Sequence, residues 1–350
     1  MMTPSDSFSC DYANLPESWF SRCGRSGLLL PAVSLGCWQN FGDLSQATAL
    51  CPDEAAHHGN CRRMLITAFE RGITHFDLAN NYGPPPGSAE SRVGRILRED
   101  FGDLRDQLLI SSKAGYTMWP GPYGDWGSRK YMIASCEQSL RRLGLDYVDL
   151  FYSHRPDPKT PLEETMGALD SLVRSGKALY AGLSNYSPEQ TREALRICGE
   201  QGFVKPVIHQ PRYNLIDRRV EEQGLFECLR DLGLGSICFS PLSGGVLAGK
   251  YLNGVPADSR KAFQGNASKD PWLTDEKRVI LRSFRDIASG LGLTPAQLAL
   301  LWTLREGRCT SALIGASRPA QIEDASRLLD QGPLPDGVRQ ELETLFPARA

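Results

Sequence analysis

The sequence predicts a single (β/α)8 barrel. Three observations carry that expectation: eight apolar runs of strand length, helical periodicity between them, and no strict apolar–polar alternation within the runs. Strands buried on both faces read as near-continuous apolar stretches, as parallel strands covered by helices do. Eight such units in 350 residues favour a closed barrel over an open, doubly wound sheet. No linker rich in Pro, Gly or Ser divides the chain. Residues 1–350 therefore read as one domain, with a core over about 27–332, an N-terminal extension over 1–26 and a C-terminal tail over 333–350.

The first strand is expected in LPAVSLGCW (30–38). CPDEAAHHGNC (51–61) reads as a polar loop leading into a helix. Its Cys51, His57, His58 and Cys61 are residue types that ligate zinc, but their spacing matches no standard site, and no metal is expected. The second unit is a strand in GITHFDLA (72–79) and a helix in AESRVGRILRED (89–100). A strand in QLLISSKAG (107–115), a helix over 129–145 and a strand in YVDLFYSH (147–154) follow. The helix over 161–178 opens on proline and acids, as a helix start should. After the strand LYAGLSN (179–185), the helix over 187–202 begins with a capping box, Ser187 to Gln190. The alternation continues through a strand in PVIHQPRYN (206–214), a helix over 221–233 and a strand in SICFSPL (236–242). Residues 243–273 form the longest insertion, of a length that in a compact domain is usually functional or mobile. Two helical stretches, a last strand in TSALIGAS (310–317) and a helix near 319–331 complete the pattern.

Composition narrows the function classes. Hydrophobic residues make up 41% and charged residues 23%, ordinary for a chain with a sizeable core. A net charge of −2 without a basic stripe argues against nucleic acid or an anionic membrane as a partner. No apolar run approaches the roughly 20 residues that span a bilayer, and the N-terminal stretch lacks the pattern of a signal peptide. The ten cysteines contain no CxxC pair, and several, Cys136, Cys198 and Cys238 among them, read as buried thiols. The cytoplasm is the expected compartment.

In a parallel barrel, reactive groups collect at the C-terminal ends of the strands. Those ends hold Trp38, Asp77 with Tyr82 just beyond, Lys113, His154, Ser184 with Asn185, Gln210, Phe239 with Ser240, and Ser317. Taken singly each has a structural reading: Asp77 as a cap, Tyr82 as a rim aromatic, Lys113 as a snorkelling lysine, His154 as a satisfied core histidine. Together, on successive strand tips, they are an acid, a phenol, an amine and an imidazole gathered at one mouth. The GxGxxG of open-sheet dinucleotide folds is missing after the first strand, where SLGCWQNFGD stands instead.

With these motifs the chain resembles the aldo-keto reductases, (β/α)8 barrels that use nicotinamide cofactors. The resemblance rests on GITHFDLANNYG, SSKAG, YSH, GLSNYS, HQPRYN, SPLSGGVLAGKY and LIGAS, spread in order over nearly the whole chain. Within the family these motifs look most like the bacterial glyceraldehyde 3-phosphate reductase branch, which is related to potassium-channel beta subunits. The resemblance implies an NADPH-dependent reductase of small aldehydes and ketones, glyceraldehyde 3-phosphate and methylglyoxal among them. It makes Asp77, Tyr82, Lys113 and His154 the catalytic tetrad, with Tyr82 as general acid. A free phenol titrates near pH 10, and the Lys113 ammonium is expected to lower that value.

The same resemblance assigns the cofactor, NADP(H). Ser184, Asn185 and Gln210 would hold the nicotinamide carboxamide and Phe239 would stack on its ring, near Trp38 and Asp77. Ser240, Leu242, Gly244, Lys250 and Arg260 would follow the pyrophosphate. Gly315, Ser317, Arg318, Gln321 and Asp324 would surround the adenosine 2′-phosphate, where an arginine favours NADPH. The family usually has an asparagine where this chain has Ala325, which removes an adenine contact. Trp38, Tyr82, Tyr116, Trp119 and His154 are the expected substrate wall, with Arg129, Lys130 and Arg155 as nearby positive charge. A homo-oligomer is compatible with these features. Two other readings compete: a Schiff-base aldolase with Lys113 as nucleophile, and a redox-sensing regulatory subunit of a membrane channel.

Overall fold

The computed structural model describes residues 8–43, 51–265, 269–328 and 332–348. A short antiparallel hairpin, β1 (Phe20–Arg22) and β2 (Leu29–Pro31), precedes the barrel. Eight parallel strands then close on themselves: β3 (Val33–Gly36), β4 (His75–Asp77), β5 (Leu109–Ala114), β6 (Val148–Ser153), β7 (Ala178–Ser184), β8 (Ile208–Gln210), β9 (Gly235–Phe239) and β10 (Ser311–Ile314). Each pairs with its neighbour in sequence, and β10 returns to β3. This is the (β/α)8 barrel that the eight apolar runs predict.

Helices α1 (Glu54–Glu70), α2 (Ser88–Asp100), α3 (Arg129–Leu143), α4 (Leu162–Arg174) and α5 (Pro188–Gln201) cover the first half of the barrel. The capping box of α5 forms as its sequence implies, with the Ser187 and Gln190 side chains exchanging bonds with the backbone. Helix α1 starts earlier than the polar-loop reading of 51–61 allows. Asp53 caps it, accepting from the Ala56 amide at 2.8 Å, so His57, His58 and Cys61 are helical. The helix expected over 221–233 is broken into α6 (Arg219–Glu222) and α7 (Leu225–Leu232) by Gly224, whose φ is 73°. The strand expected over 206–214 keeps only Ile208–Gln210, because Pro211 has no N–H to continue the ladder.

The insertion after β9 carries the short α8 (Arg260–Phe263), and residues 266–268 of it lie outside the described residues. Helices α9 (Asp275–Gly290) and α10 (Pro295–Leu304) precede β10, and α11 (Pro319–Ser326) follows it. The expected helix near 319–331 ends in positions 329–331, which also lie outside the described residues. The tail contains α12 (Asp336–Leu345), a helix that the periodicity of the sequence does not announce. Beyond it, Phe346 packs on Trp272 and Phe284, both at 5.5 Å between ring centroids. Among the described residues no single helix is long and apolar enough to cross a membrane.

The hairpin decides which end of the barrel is open. Cys23, Leu28 and Leu30 pack with Leu150, Tyr152, Ile208, Ile237 and Leu313 inside the N-terminal end of the strands. The Arg25 amide donates to Gly233 O at 2.9 Å, fastening the hairpin beside the start of β9. Gly235 is bare for a steric reason, since a Cβ there would stand 2.3 Å from Cys23 Sγ. With that end filled, the reactive strand tips open only at the other.

Candidate active site

Inward-facing positions alternate along a strand, so His75 and Asp77 on β4, and Ser111 and Lys113 on β5, share the barrel interior. Lys113 and Asp77 are both fully buried, with Nζ 2.5 Å from Asp77 Oδ2. Nζ also donates to Leu78 O at 2.7 Å and to the Tyr82 hydroxyl at 3.2 Å. The other carboxylate oxygen, Oδ1, accepts from Ser111 Oγ at 2.7 Å and Gln210 Nε2 at 3.1 Å. An ammonium with three acceptors, set behind the cavity wall, has no lone pair to offer a carbonyl. That geometry disfavours the aldolase reading.

The segment after β4 mounts Tyr82. Its amide donates to Ala79 O at 3.0 Å, and its carbonyl accepts from the amides of Gly87 at 3.0 Å and Ala89 at 3.3 Å. Gly83 must be glycine, because a Cβ would lie 1.9 Å from Pro85 O. Prolines 84–86 restrict the turn between these anchors. On the other side, Asn80 donates to the Tyr131 hydroxyl at 2.9 Å, which donates to Tyr116 O at 2.5 Å. The phenol is thereby tied to the start of α2, and the turn ahead of it to α3 and β5.

Electrostatics correct one expectation. The Tyr82 phenol is held well above its ordinary range, first by burial and then by the Asp77 charge, rather than lowered by Lys113. The physical reason is that a phenolate buried there would lose its hydration, and Asp77, set against Lys113, opposes the lysine's field at the phenol. Burial pulls the Lys113 ammonium down, and Asp77 opposes that pull. His154 is held well below its usual value by burial, then by Lys113 and Arg155, so its imidazole is neutral. Its ring lies 6.0 Å from that of Tyr82. Lys113 donates to the phenol oxygen, which leaves the phenol hydrogen for an acceptor in the cavity.

That cavity, of about 930 Å³, runs from Trp38, Tyr82, Tyr116 and His154 to the loop after β10. Asp77, Asn185, Gln210, Phe239, Ser240 and Leu242 line its middle. Asn185 sits at φ 61° and spends its amide nitrogen on His154 O and Ser184 Oγ, both at 3.0 Å, which leaves the amide oxygen for a donor. Ser184 itself is buried behind the wall, its hydroxyl given to Gln210 O at 2.8 Å. At the far end lie Gly244, Lys250, Arg260, Gly315, Ser317 and Arg318, with Gln321, Asp324 and Ala325 beyond.

The far end gathers three cations. Burial and the charges of Arg318 and Arg260 depress the Lys250 ammonium, against the pull of Asp258. Burial also lowers the Arg260 guanidinium, and among the described residues Arg260 has no ion pair. Arg318 reaches Asp258 only at 3.9 Å. Three cations around one carboxylate fit bound phosphates. Asp324 is committed elsewhere, accepting from Thr294 Oγ1 at 3.0 Å and Gln297 Nε2 at 3.1 Å. Two residues with no signal in the sequence shape this end: Asn40 and Asn60 donate to the carbonyls of Ala316 and Ser317 at 2.7 and 2.9 Å.

The substrate side departs from expectation at four residues. Trp119 is off the cavity wall and packs on Tyr131 at 5.2 Å between ring centroids. Arg155 is consumed by Asp125 and Gly115 O and lies over the rings of Tyr116 and Trp126. Arg129 is spent on Gly167 O and Ser171, and Lys130 lies over Tyr123. The cation present on the wall instead is Arg212, half-exposed and 3.1 Å from Asp217. Trp38 and Tyr116 do line the cavity.

Within the cysteine–histidine cluster Cys61 Sγ contacts His57 Nε2 at 3.8 Å, and both also have backbone partners. His57 Nε2 bonds Gly42 O at 2.9 Å, Cys61 Sγ bonds Asn40 O at 3.4 Å, and His58 turns to Glu99. Among the described residues no group of three or more His, Cys, Asp or Glu is placed to hold a metal ion.

The sequence model of the Aldo/keto reductase family matches residues 32–345. The chain is 52% identical over 311 residues to a protein of Escherichia coli (strain K12) named L-glyceraldehyde 3-phosphate reductase, covering 88% of this chain and 86% of the relative. It is 36% identical over 309 residues to a Schizosaccharomyces pombe protein named putative voltage-gated potassium channel subunit beta, covering 87% and 86%. A probable voltage-gated potassium channel subunit beta of Oryza sativa subsp. japonica is 36% identical over 323 residues, covering 90% and 92%.

The buried pair at the centre of the site makes a stability prediction. Lys113→Met leaves Asp77 buried without its counter-charge and is expected to cost about 3–5 kcal/mol. Adding Asp77→Asn to Lys113→Met is expected to recover part of that loss. Urea unfolding of the two single variants and the double variant reads the coupling, and equal, additive losses would contradict the pairing.

Proposed function

The chain belongs to the aldo/keto reductase family, and from that premise we propose that it reduces small anionic aldehydes to alcohols with NADPH, using Tyr82 as the proton donor. The observation that carries this reading is the bond from Lys113 to the phenol oxygen, beside a neutral His154 on the same cavity. When bound along the cavity, NADPH would supply the hydride. Asn185 and Gln210 would hold its carboxamide and Phe239 its ring face. Lys250 and Arg260 would meet the pyrophosphate, and Arg318 the 2′-phosphate.

The remaining chemistry belongs to the chain. Hydride attack builds negative charge on the carbonyl oxygen, and a donor must sit within hydrogen-bond reach of it. Tyr82 gives that oxygen its phenol proton: one O–H bond breaks, another forms, and the charge moves to the phenol oxygen. Lys113 then faces a phenolate in place of a phenol and stabilises it until a proton returns from solvent. His154, uncharged, orients the carbonyl through a ring N–H. A phenol that stays protonated at neutral pH carries the proton that reduction requires.

Arg212 supports an anionic substrate. Once Lys250, Arg260 and Arg318 are given to the cofactor, it is the cation left on the described cavity wall. Glyceraldehyde 3-phosphate fits that requirement, and methylglyoxal tests the reactive end without it. All ten cysteines are free and most are buried, which suits the cytoplasm. The alternative role, as a redox-sensing channel subunit, draws on the relatives of that name; the complete tetrad and the more similar reductase favour the enzyme.

Steady-state kinetics with glyceraldehyde 3-phosphate, glyceraldehyde and methylglyoxal, each with NADPH and NADH, test the proposal. Tyr82→Phe is expected to lose about a hundredfold or more in kcat while its fluorescence is still quenched by NADPH binding; near-normal turnover would remove Tyr82 from its role. Arg318→Ala is expected to raise KM for NADPH roughly tenfold and to leave that for NADH nearly unchanged. Arg212→Ala is expected to raise KM for glyceraldehyde 3-phosphate by a similar factor and to spare methylglyoxal. Equal effects on the two substrates would place the anion site elsewhere.

A further inference from the structure

One layer below Asp77, four side chains from adjacent strands join end to end inside the barrel. Ser34 Oγ on β3 lies 2.7 Å from Ser311 Oγ on β10 and 3.0 Å from His75 Nδ1 on β4. His75 Nε2 is 3.0 Å from Ser111 Oγ on β5, and Ser111 Oγ is 2.7 Å from Asp77 Oδ1. All five residues are fully buried. The proton transfer proposed above uses none of the four that lead to Asp77.

Counting protons fixes the direction of every bond. The carboxylate paired with Lys113 can only accept, so the single Ser111 proton points at Asp77. His75 Nε2 must then carry the hydrogen that it shares with Ser111. Burial pushes the imidazole down to about 4, so at neutral pH it has one N–H and Nδ1 is an acceptor. Ser34 therefore donates to Nδ1, and Ser311 donates to Ser34. The result is a one-way chain, Ser311 to Ser34 to His75 to Ser111 to Asp77, in which each bond polarises the next towards the carboxylate.

Resting on the reductase reading, we infer that His75 is a positioning residue for the proton donor, acting through Ser111. By fixing the Ser111 hydroxyl it anchors Asp77 Oδ1 and so sets the plane of the carboxylate. That plane places Oδ2 against Lys113, and Lys113 in turn meets the Tyr82 oxygen. A displacement passed along this line reaches the proton donor, where about 1 Å can cost a hundredfold in rate. A purely structural role would be served as well by apolar side chains of similar volume, since replacing both partners of a buried bond is often neutral.

The test uses the full chain with His75→Phe, His75→Gln, Ser111→Ala and the double variant His75→Phe with Ser111→Ala. Expected are losses in kcat of roughly tenfold or more for His75→Phe and Ser111→Ala, with KM for NADPH changed less than about twofold. The double variant is expected to be no slower than Ser111→Ala alone, because His75 acts only through that hydroxyl. His75→Gln, whose amide N–H can reach Ser111, is expected to recover most of kcat. Additive losses, or lower melting temperatures with kcat of the folded protein unchanged, would overturn the inference. Nitrogen-15 spectra of His75 provide a readout independent of turnover: an Nε2–H tautomer that does not titrate near pH 6.5 is expected. An Nδ1–H tautomer would overturn the inference even in an active enzyme. Absence of turnover by the unsubstituted protein with every aldehyde would instead remove the reductase reading.

Discussion

The site depends on one buried ion pair. Lys113 and Asp77 come from neighbouring strands, are wholly removed from water, and meet at 2.5 Å. A pair in that position would be costly without further partners. It has them: Leu78 O and the Tyr82 hydroxyl on the lysine, Ser111 and Gln210 on the carboxylate. Side chains from three barrel strands therefore converge on two charges, and Tyr82 sits at the edge of that convergence. The hairpin that fills the opposite end keeps water from reaching the pair from below.

The pair also explains why the phenol stays a phenol. An isolated ammonium 3.2 Å from the oxygen would favour phenolate, but burial of the phenol, and after it the Asp77 charge, hold the proton on. Under the proposed reaction the lysine would already be in contact with the atom that becomes charged when the phenol proton leaves. At the other end of the cavity the balance is reversed. Lys250, Arg260 and Arg318 gather there with Asp258 near Arg318, and the Lys250 ammonium is depressed first by burial and then by the two guanidinium charges, against the pull of Asp258. One end of the cavity keeps charge neutralised and the other keeps it in excess, a contrast that would suit the proposed nicotinamide cofactor.

Much of this is legible in the sequence, and for a physical reason. Strand tips show as the point where an apolar run turns polar, so Asp77, Lys113 and His154 can be read from their place. Even the hidden chain beneath them leaves a trace, since His75 precedes Asp77 by two and Ser111 precedes Lys113 by two, the period of one strand face. What cannot be read is which side chains meet across loops. Trp119 turns to Tyr131, and Arg155 is held between Tyr116 and Trp126, because of the path taken between β5 and α3. Arg212 carries no signal because its strand ends earlier than the apolar run suggests. A lysine weighed without the aspartate that neutralises it gives the wrong direction for the Tyr82 shift.

Whether Lys113 reaches Tyr82 as half of a neutral pair is decided by the ultraviolet titration of the Tyr82 phenol, taken as the difference between the unsubstituted protein and Tyr82→Phe. A neutral pair gives no phenolate signal from Tyr82 below about pH 10, the value of a free phenol. Ionisation of Tyr82 between about pH 7 and 9 would refute the neutral pair, since only an uncompensated ammonium could draw the proton off so early.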